Sequence, residues 1–514
     1  MIYMKWTTPA LLLFVLFENV IGQNADQKRI EADLRFLADD LLEGRGTPSR
    51  SLDIAALYCA NQLRAAGWKP AVDGSYLQPF EVVHFNPQKG TYKISLNGEM
   101  LKPEEYRFLP FSLDPAASPF TFDLVFAGHG IFAPEKGVDN FQDVDVSEKA
   151  VVSLYGAPWT PDAGAPHAFD RVVGKAVHAT VRGADFLVYV TEELDSPPAS
   201  SPDLPFLNEM VDAVYAMLPA GKAIEPAMGM GPVLAISRSA FDRTLARATG
   251  ADYATWQKTL ADNRQFKARP IEAKLEVVLN VNRETGPASN VVAKLEGTDP
   301  SLKDEWVLLT AHYDHLGFKQ VGPGEDGIWN GADDNASGTA AVLEVARCLA
   351  ADGPPRRSVL ILLTAGEDRG ILGSAHYAKT PIIPYDKVAI NINVDMVGRY
   401  QGAITGYTAE SDSVFKVAAQ VAKTRGMDLS VDPHPEWRMV YFIDSYHFAR
   451  FDVPFVFFFT SFHEDYHQPS DEVEKIRFRE LTQVTDLVAE LTRYYAGGAP
   501  KPSFKRPAWF LTPE

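Results

Sequence analysis

Between residues 306 and 467 the chain repeats one arrangement: a short apolar run followed at once by acidic or imidazole side chains. Trp306-Val-Leu-Leu-Thr-Ala-His312 leads into Tyr313 and Asp314, and Ser358-Val-Leu-Ile-Leu-Leu-Thr364 into Gly366, Glu367 and Asp368. Val388-Ala-Ile-Asn-Ile-Asn-Val394 is closed by Asp395, and Val453-Pro-Phe-Val-Phe-Phe-Phe459 leads to His463-Glu-Asp-Tyr-His467. Continuous apolar runs of this length suit strands buried on both faces. Helical patterns at 338–349, 412–425 and 478–496 alternate with them. Strand–helix alternation predicts an α/β domain with a mixed, largely parallel sheet flanked by helices. Ligands of such sheets gather beyond the C-terminal strand ends, where these polar residues fall.

A chain of 514 residues is long for one domain at roughly 100–200 residues each. Near 118 the character changes to Ala, Gly and Pro with short strand candidates around 122–126, 150–154, 185–190 and 232–236, and one helix near 171–182. We read 118–270 as a mostly β inserted domain interrupting a discontinuous one of 23–117 and 271–514. Helical patterns occupy 27–67, broken at Glu43-Gly-Arg-Gly-Thr-Pro48, with strand alternation at 80–85 and 91–96. At the start, Lys5 precedes the apolar run Pro9-Ala-Leu-Leu-Leu-Phe-Val-Leu-Phe17, and small or β-branched residues reach Gly22. Residues 1–22 read as a signal peptide, too short in its apolar part to span a bilayer. The expectation is a secreted or periplasmic protein without stable membrane insertion after cleavage. Cys59 and Cys348, both on apolar helix faces, are expected to be buried free thiols rather than a disulfide framework. Lys and Arg number 49 against 67 Asp and Glu, a net charge of −18, which disfavours a nucleic-acid partner.

Each polar group has a plain alternative reading. Asp333-Asp334 before Asn335 and Gly338 could be turn or helix-cap chemistry, and Glu367-Asp368 could face solvent. Five such groups at successive strand ends favour one shared site. Imidazole with carboxylate and no thiolate suits zinc or a neighbouring transition metal with an open coordination position. A serine hydrolase is disfavoured, because no Gly-x-Ser-x-Gly occurs.

The motifs together resemble the dizinc exopeptidases, a family that includes secreted bacterial leucyl aminopeptidases, glutamate carboxypeptidase II and, more distantly, glutaminyl cyclases. The resemblance spans about 28–495 and keeps every motif in order. It implies two zinc ions per chain: His312 and Asp395 on one, Asp368 and His467 on the other, and Asp334 bridging. It further implies that Glu367 is the general base, that Asp314 orients His312, that Tyr466 steadies a tetrahedral intermediate, and that the Asp334–Asn335 peptide is cis. Asp368 departs from the family, which often carries Glu there. His463 is read as structural, and His447 as either a substrate contact or core. Val125-Phe-Ala-Gly-His-Gly-Ile131 and neighbouring stretches of the insert resemble a protease-associated domain. The implied function is a secreted aminopeptidase acting on peptides. A carboxypeptidase or a glutaminyl cyclase on the same fold remains an alternative, as does a non-catalytic receptor. Asn335-Ala-Ser337 matches a glycosylation acceptor but lies inside the proposed metal loop and is read as unmodified.

Overall fold

A computed structural model of the protein describes residues 22–85, 90–109, 113, 115–159, 172–192, 194, 214–217, 231–402, 404–408, 412–431 and 438–510. The leader read at 1–22 lies, Gly22 apart, outside them. The apolar runs form the centre of a ten-stranded sheet, in the order Ser358–Thr364, Trp306–His312, Val388–Val394, Phe455–Phe459. These four strands are mutually parallel. Glu284–Leu295 joins one side and Ile404–Tyr407 the other, both antiparallel. The sheet is therefore mixed and largely parallel at its core, as the pattern predicts.

Alternate side chains sort to opposite faces. Val307, Leu309 and Ala311, with Val359, Ile361 and Leu363, enter one large cluster with residues of the helices Gly338–Asp352, Phe478–Ala496 and Arg50–Ala65. Leu308, Leu360 and Leu362 point the other way, toward Tyr377 and Phe448. Full burial on both faces is why these strands show no polar alternation. Cys59 and Cys348 are buried free thiols; burial pushes both up, Cys348 to about 12.

A second sheet of eight strands holds Phe120–Phe126, Lys149–Leu154, Phe186–Thr191 and Val233–Ser237 as parallel neighbours. It also takes Thr91–Leu96, Glu99–Met100, Tyr106–Leu109 and Arg269–Asn280, so it extends beyond 118–270 on both flanks. Conversely, Val214–Met217 pairs with Leu77–Phe85 in the ten-stranded sheet.

The two sheets are not walled off from each other. Val125, Val151 and Tyr189 share one buried cluster with Ile371, Tyr441, Tyr446, Phe455, Phe457 and the C-terminal Trp509 and Phe510. Tyr441 Oη donates to the Trp509 carbonyl at 3.0 Å, and the Arg438 guanidinium lies 5.0 Å from the Trp509 ring centroid. Phe510 thus sits where the two sheets and the C-terminal segment meet. Phe510→Ala should cost about 3–5 kcal/mol in urea unfolding, the usual effect of emptying a buried aromatic site. Val431→Ala, at a side chain 63% exposed, should stay within about 0.5 kcal/mol.

Candidate metal centre

The register of the parallel strands brings the predicted residues together. His312 pairs with Thr364 across two neighbouring strands, so the turn after Thr364 emerges beside His312. Asp395 follows the adjacent strand and donates its N–H to the Phe458 carbonyl. Asp334 comes from the turn that precedes the helix Gly338–Asp352, and its peptide bond to Asn335 is cis. His467 arrives on the loop after Phe455–Phe459.

Asp334 lies at the middle of this set. Its Oδ1 is 3.3 Å from His312 Nε2, and its Oδ2 is 3.2 Å from His467 Nε2. His312 Nε2 is also 3.2 Å from Asp395 Oδ1, and His467 Nε2 is 3.0 Å from Asp368 Oδ1. Ligand atoms of a tetrahedral zinc, bound at about 2.0–2.1 Å, stand about 3.3 Å apart. The separations therefore fit two ions sharing Asp334. Asp334 Oδ2 is buried and makes no hydrogen bond, which also suits a metal ligand.

The charges agree. Burial raises Glu367 well above the ordinary carboxylate range, and the nearby Asp368 and Asp395 add to the rise against His312. Burial with the Asp334 and Asp368 charges puts Asp395 at about 6. Burial alone would lower His467, but Asp334 and Asp368 hold it up at about 10. His312 is likewise driven up, by Asp395 and Glu367 against its burial. Protons on these imidazoles stand where the carboxylates call for positive charge, and a cation would serve in their place.

The surrounding contacts fix these side chains. Asp314 is fully buried, takes Thr47 Oγ1 on Oδ2 at 3.1 Å and the Glu367 N–H on Oδ1 at 3.2 Å. Its Oδ1 is 3.7 Å from His312 Nδ1, longer than a direct hydrogen bond. Thr339 Oγ1 donates to the His312 carbonyl at 2.6 Å. Asn335 is buried, donating to the Val394 carbonyl and accepting from Gly338 and Met396, so no glycan fits there. Tyr466 stacks on the His467 ring at 3.8 Å and continues through Phe462 to Phe459 as an aromatic row. His463 Nε2 lies 3.2 Å from Asp333 Oδ2, in keeping with a structural part. His447 is buried beside Tyr446.

In the sequence Asp444 is read only within Asp444-Ser-Tyr-His447-Phe, a stretch that resembles a family pocket lining, while Asp471, Arg45 and His315 go unread as site residues. Asp471 Oδ2 accepts the N–H groups of Asp333 and Asp334 at 2.9 and 3.0 Å. Arg45, fully buried, donates to the carbonyls of Leu37, Tyr313, Asn330 and Gly331. Asp444 accepts Thr364 Oγ1 at 2.6 Å. His315 Nδ1 lies 2.7 Å from Asp368 Oδ2. Of the three unread residues, only His315 carried a signal, as the second imidazole of His312-Tyr-Asp-His315.

Residues 290–492 match peptidase family M28. Aminopeptidase YwaD of Bacillus subtilis (strain 168) is 29% identical over 228 residues, 41% of this chain and 46% of that protein. A probable zinc metalloprotease of Pyrenophora tritici-repentis is 35% identical over 120 residues, 22% of this chain and 23% of that one. The chain thus spans less than half the length of these relatives. Among solved structures, an aminopeptidase from Aneurinibacillus sp. strain AM-1 matches with a TM-score of 0.52 at 18% identity, covering 96% of each chain. That likeness concerns the fold, which is the zinc exopeptidase fold. The sheet edge and the Asp334-centred cluster both fall within the segment, residues 290–492, that is similar to peptidase family M28.

Proposed function

We propose that the protein is a zinc-dependent exopeptidase, an aminopeptidase that releases N-terminal residues from peptides. The observation that carries this reading is the Asp334 carboxylate with one oxygen toward His312 and the other toward His467. His312, Asp334 and Asp395 would hold one zinc, and Asp334, Asp368 and His467 the other. When bound, zinc supplies Lewis acidity toward a substrate carbonyl and a water. Glu367 takes the water's proton and returns it to the departing amine. Its raised proton affinity, set by burial and by Asp368 and Asp395, suits a base that must also act as an acid. Its own N–H, bonded to Asp314 Oδ1, fixes the turn that carries it. Tyr466, braced on His467, supplies a hydroxyl for the developing oxyanion.

The region read at 118–270, with its flanking strands, would act as a protease-associated-like lid on substrate size. Ile371 and Tyr446, within a few residues of Glu367 and His447, pack in its cluster. Among the described residues no helix is long and apolar enough to cross a membrane. The leader read at 1–22 is what supports action outside the cytoplasm.

Free aminoacyl anilides should be cleaved and their N-acetylated forms should not, with activity lost to a chelator. Cleavage confined to substrates with a free C-terminal carboxylate would favour a carboxypeptidase instead. Elemental analysis should find about two zinc per chain, and Asp334→Ala should lose both. Less than one equivalent in the unmodified protein would overturn the two-metal reading.

Glu367→Gln should keep both zinc ions while turnover falls on the order of 10²–10⁴, the range of general-base catalysis. Asp368→Ala should lose one zinc and recover part of its activity at high zinc concentration. A metal-deficient Glu367→Gln beside a fully loaded Asp368→Ala would reverse the two roles.

A further inference from the structure

The proposed ligand set leaves one imidazole of the cluster without a task. His315 is fully buried, and its Nδ1 with Asp334 and Asp368 forms a group able to hold a metal. Its place is tightly determined. Its backbone forms a parallel bridge with Gly46, and its N–H donates to the Arg45 carbonyl at 3.3 Å. On the far side is Gly331 at φ +56°, where a Cβ would meet His315 Cδ2 and Cγ at 2.5 Å and the Asp334 carbonyl oxygen at 2.1 Å. Only glycine admits both that backbone and that ring.

Distances separate two parts that His315 could play. Two atoms on one tetrahedral zinc stand about 3.3 Å apart. His467 Nε2 approaches that spacing, at 3.2 Å from Asp334 Oδ2 and 3.0 Å from Asp368 Oδ1. His315 Nδ1 lies 2.7 Å from Asp368 Oδ2 and 3.7 Å from Asp334 Oδ2. The shorter distance is that of an N–H donated to a carboxylate. It falls on the Asp368 oxygen that does not face His467.

We propose that His315 is a positioning residue for the second zinc: it donates Nδ1–H to Asp368 Oδ2 and so holds Oδ1 toward His467 and Asp334. This rests on the two-metal reading above. It also accounts for an aspartate where a longer glutamate would reach the same point. A short carboxylate has to be aimed from a backbone position closer to the metal, and a fixed donor on its outer oxygen does so. Histidine–carboxylate pairs of this kind around metals commonly affect affinity by 10–100-fold.

The test measures zinc bound at equilibrium against a metal-buffered series, with folding checked by the thermal transition. The unmodified protein should bind two zinc ions. His315→Ala should keep the first and weaken the second on the order of 10–100-fold. His315→Asn places an amide N–H near the former Nδ1 and should retain most of the second-site affinity. In the double variant His315→Ala/Asp368→Glu, the longer carboxylate should restore it. If both His315 variants are equally deficient and Asp368→Glu does not rescue, His315 is itself a ligand and the positioning role is wrong. Unchanged second-site affinity in His315→Ala also overturns it. Fewer than two zinc ions in the unmodified protein would instead overturn the two-metal reading on which it stands.

Discussion

Asp334 is the point on which the rest of the site turns. Its two oxygens face two different imidazoles, and Asp368, Asp395 and Glu367 crowd the same buried space. Carboxylates brought so close in a low-dielectric interior repel, so they must be neutralised by protons, by imidazolium or by metal. Arg45 does not relieve them directly. Its donors go to backbone carbonyls of the loops around them, and burial brings its guanidinium down to about 10 even with Asp314, Asp334 and Asp368 nearby. The arrangement therefore holds negative charge in position and leaves its neutralisation to what binds.

Backbone contacts give the cluster its rigidity. Asp471 gathers two consecutive N–H groups at Asp333 and Asp334. Asp333 in turn accepts the Gly398 N–H at 2.6 Å, tying this turn to the segment after Asp395. Ser337 Oγ bridges the same two segments, donating to the Asp333 carbonyl and accepting from Val397. Strand ends and turns from three parts of the chain thus fix one another, as suits a site whose atoms must agree to within a few tenths of an ångström. The buried cluster of Ile371, Tyr446 and Phe455 extends this frame to the second sheet.

Much of this was legible in the sequence because the signals are local. Five apolar residues in a row within Ser358–Thr364 already call for a strand covered on both faces. His312, Asp395 and Glu367 sit within a few residues of such strands, so their shared edge follows from the parallel order. The overlooked residues lack that link. Arg45 lies in a Gly-rich break that reads only as the end of a helix, and Asp471 follows a loop whose path the sequence does not give. The second sheet shows the same limit, since Thr91–Leu96 and Arg269–Asn280 join it from outside the composition change that marked the insert.

By itself the sequence determined the class of fold, the strand ends that carry chemistry and the kind of donor atoms offered there. These depend on periodicity and on side-chain type, which each segment carries on its own. Tertiary structure alone decided which oxygen of Asp334 faces which imidazole, that His315 pairs with the outer oxygen of Asp368, and that Asp471 and Arg45 hold the loops from behind. Such contacts join residues up to 286 positions apart, as for Arg45 and Gly331. Their partners are chosen by strand register and by the space glycine leaves, and neither is written in any one segment.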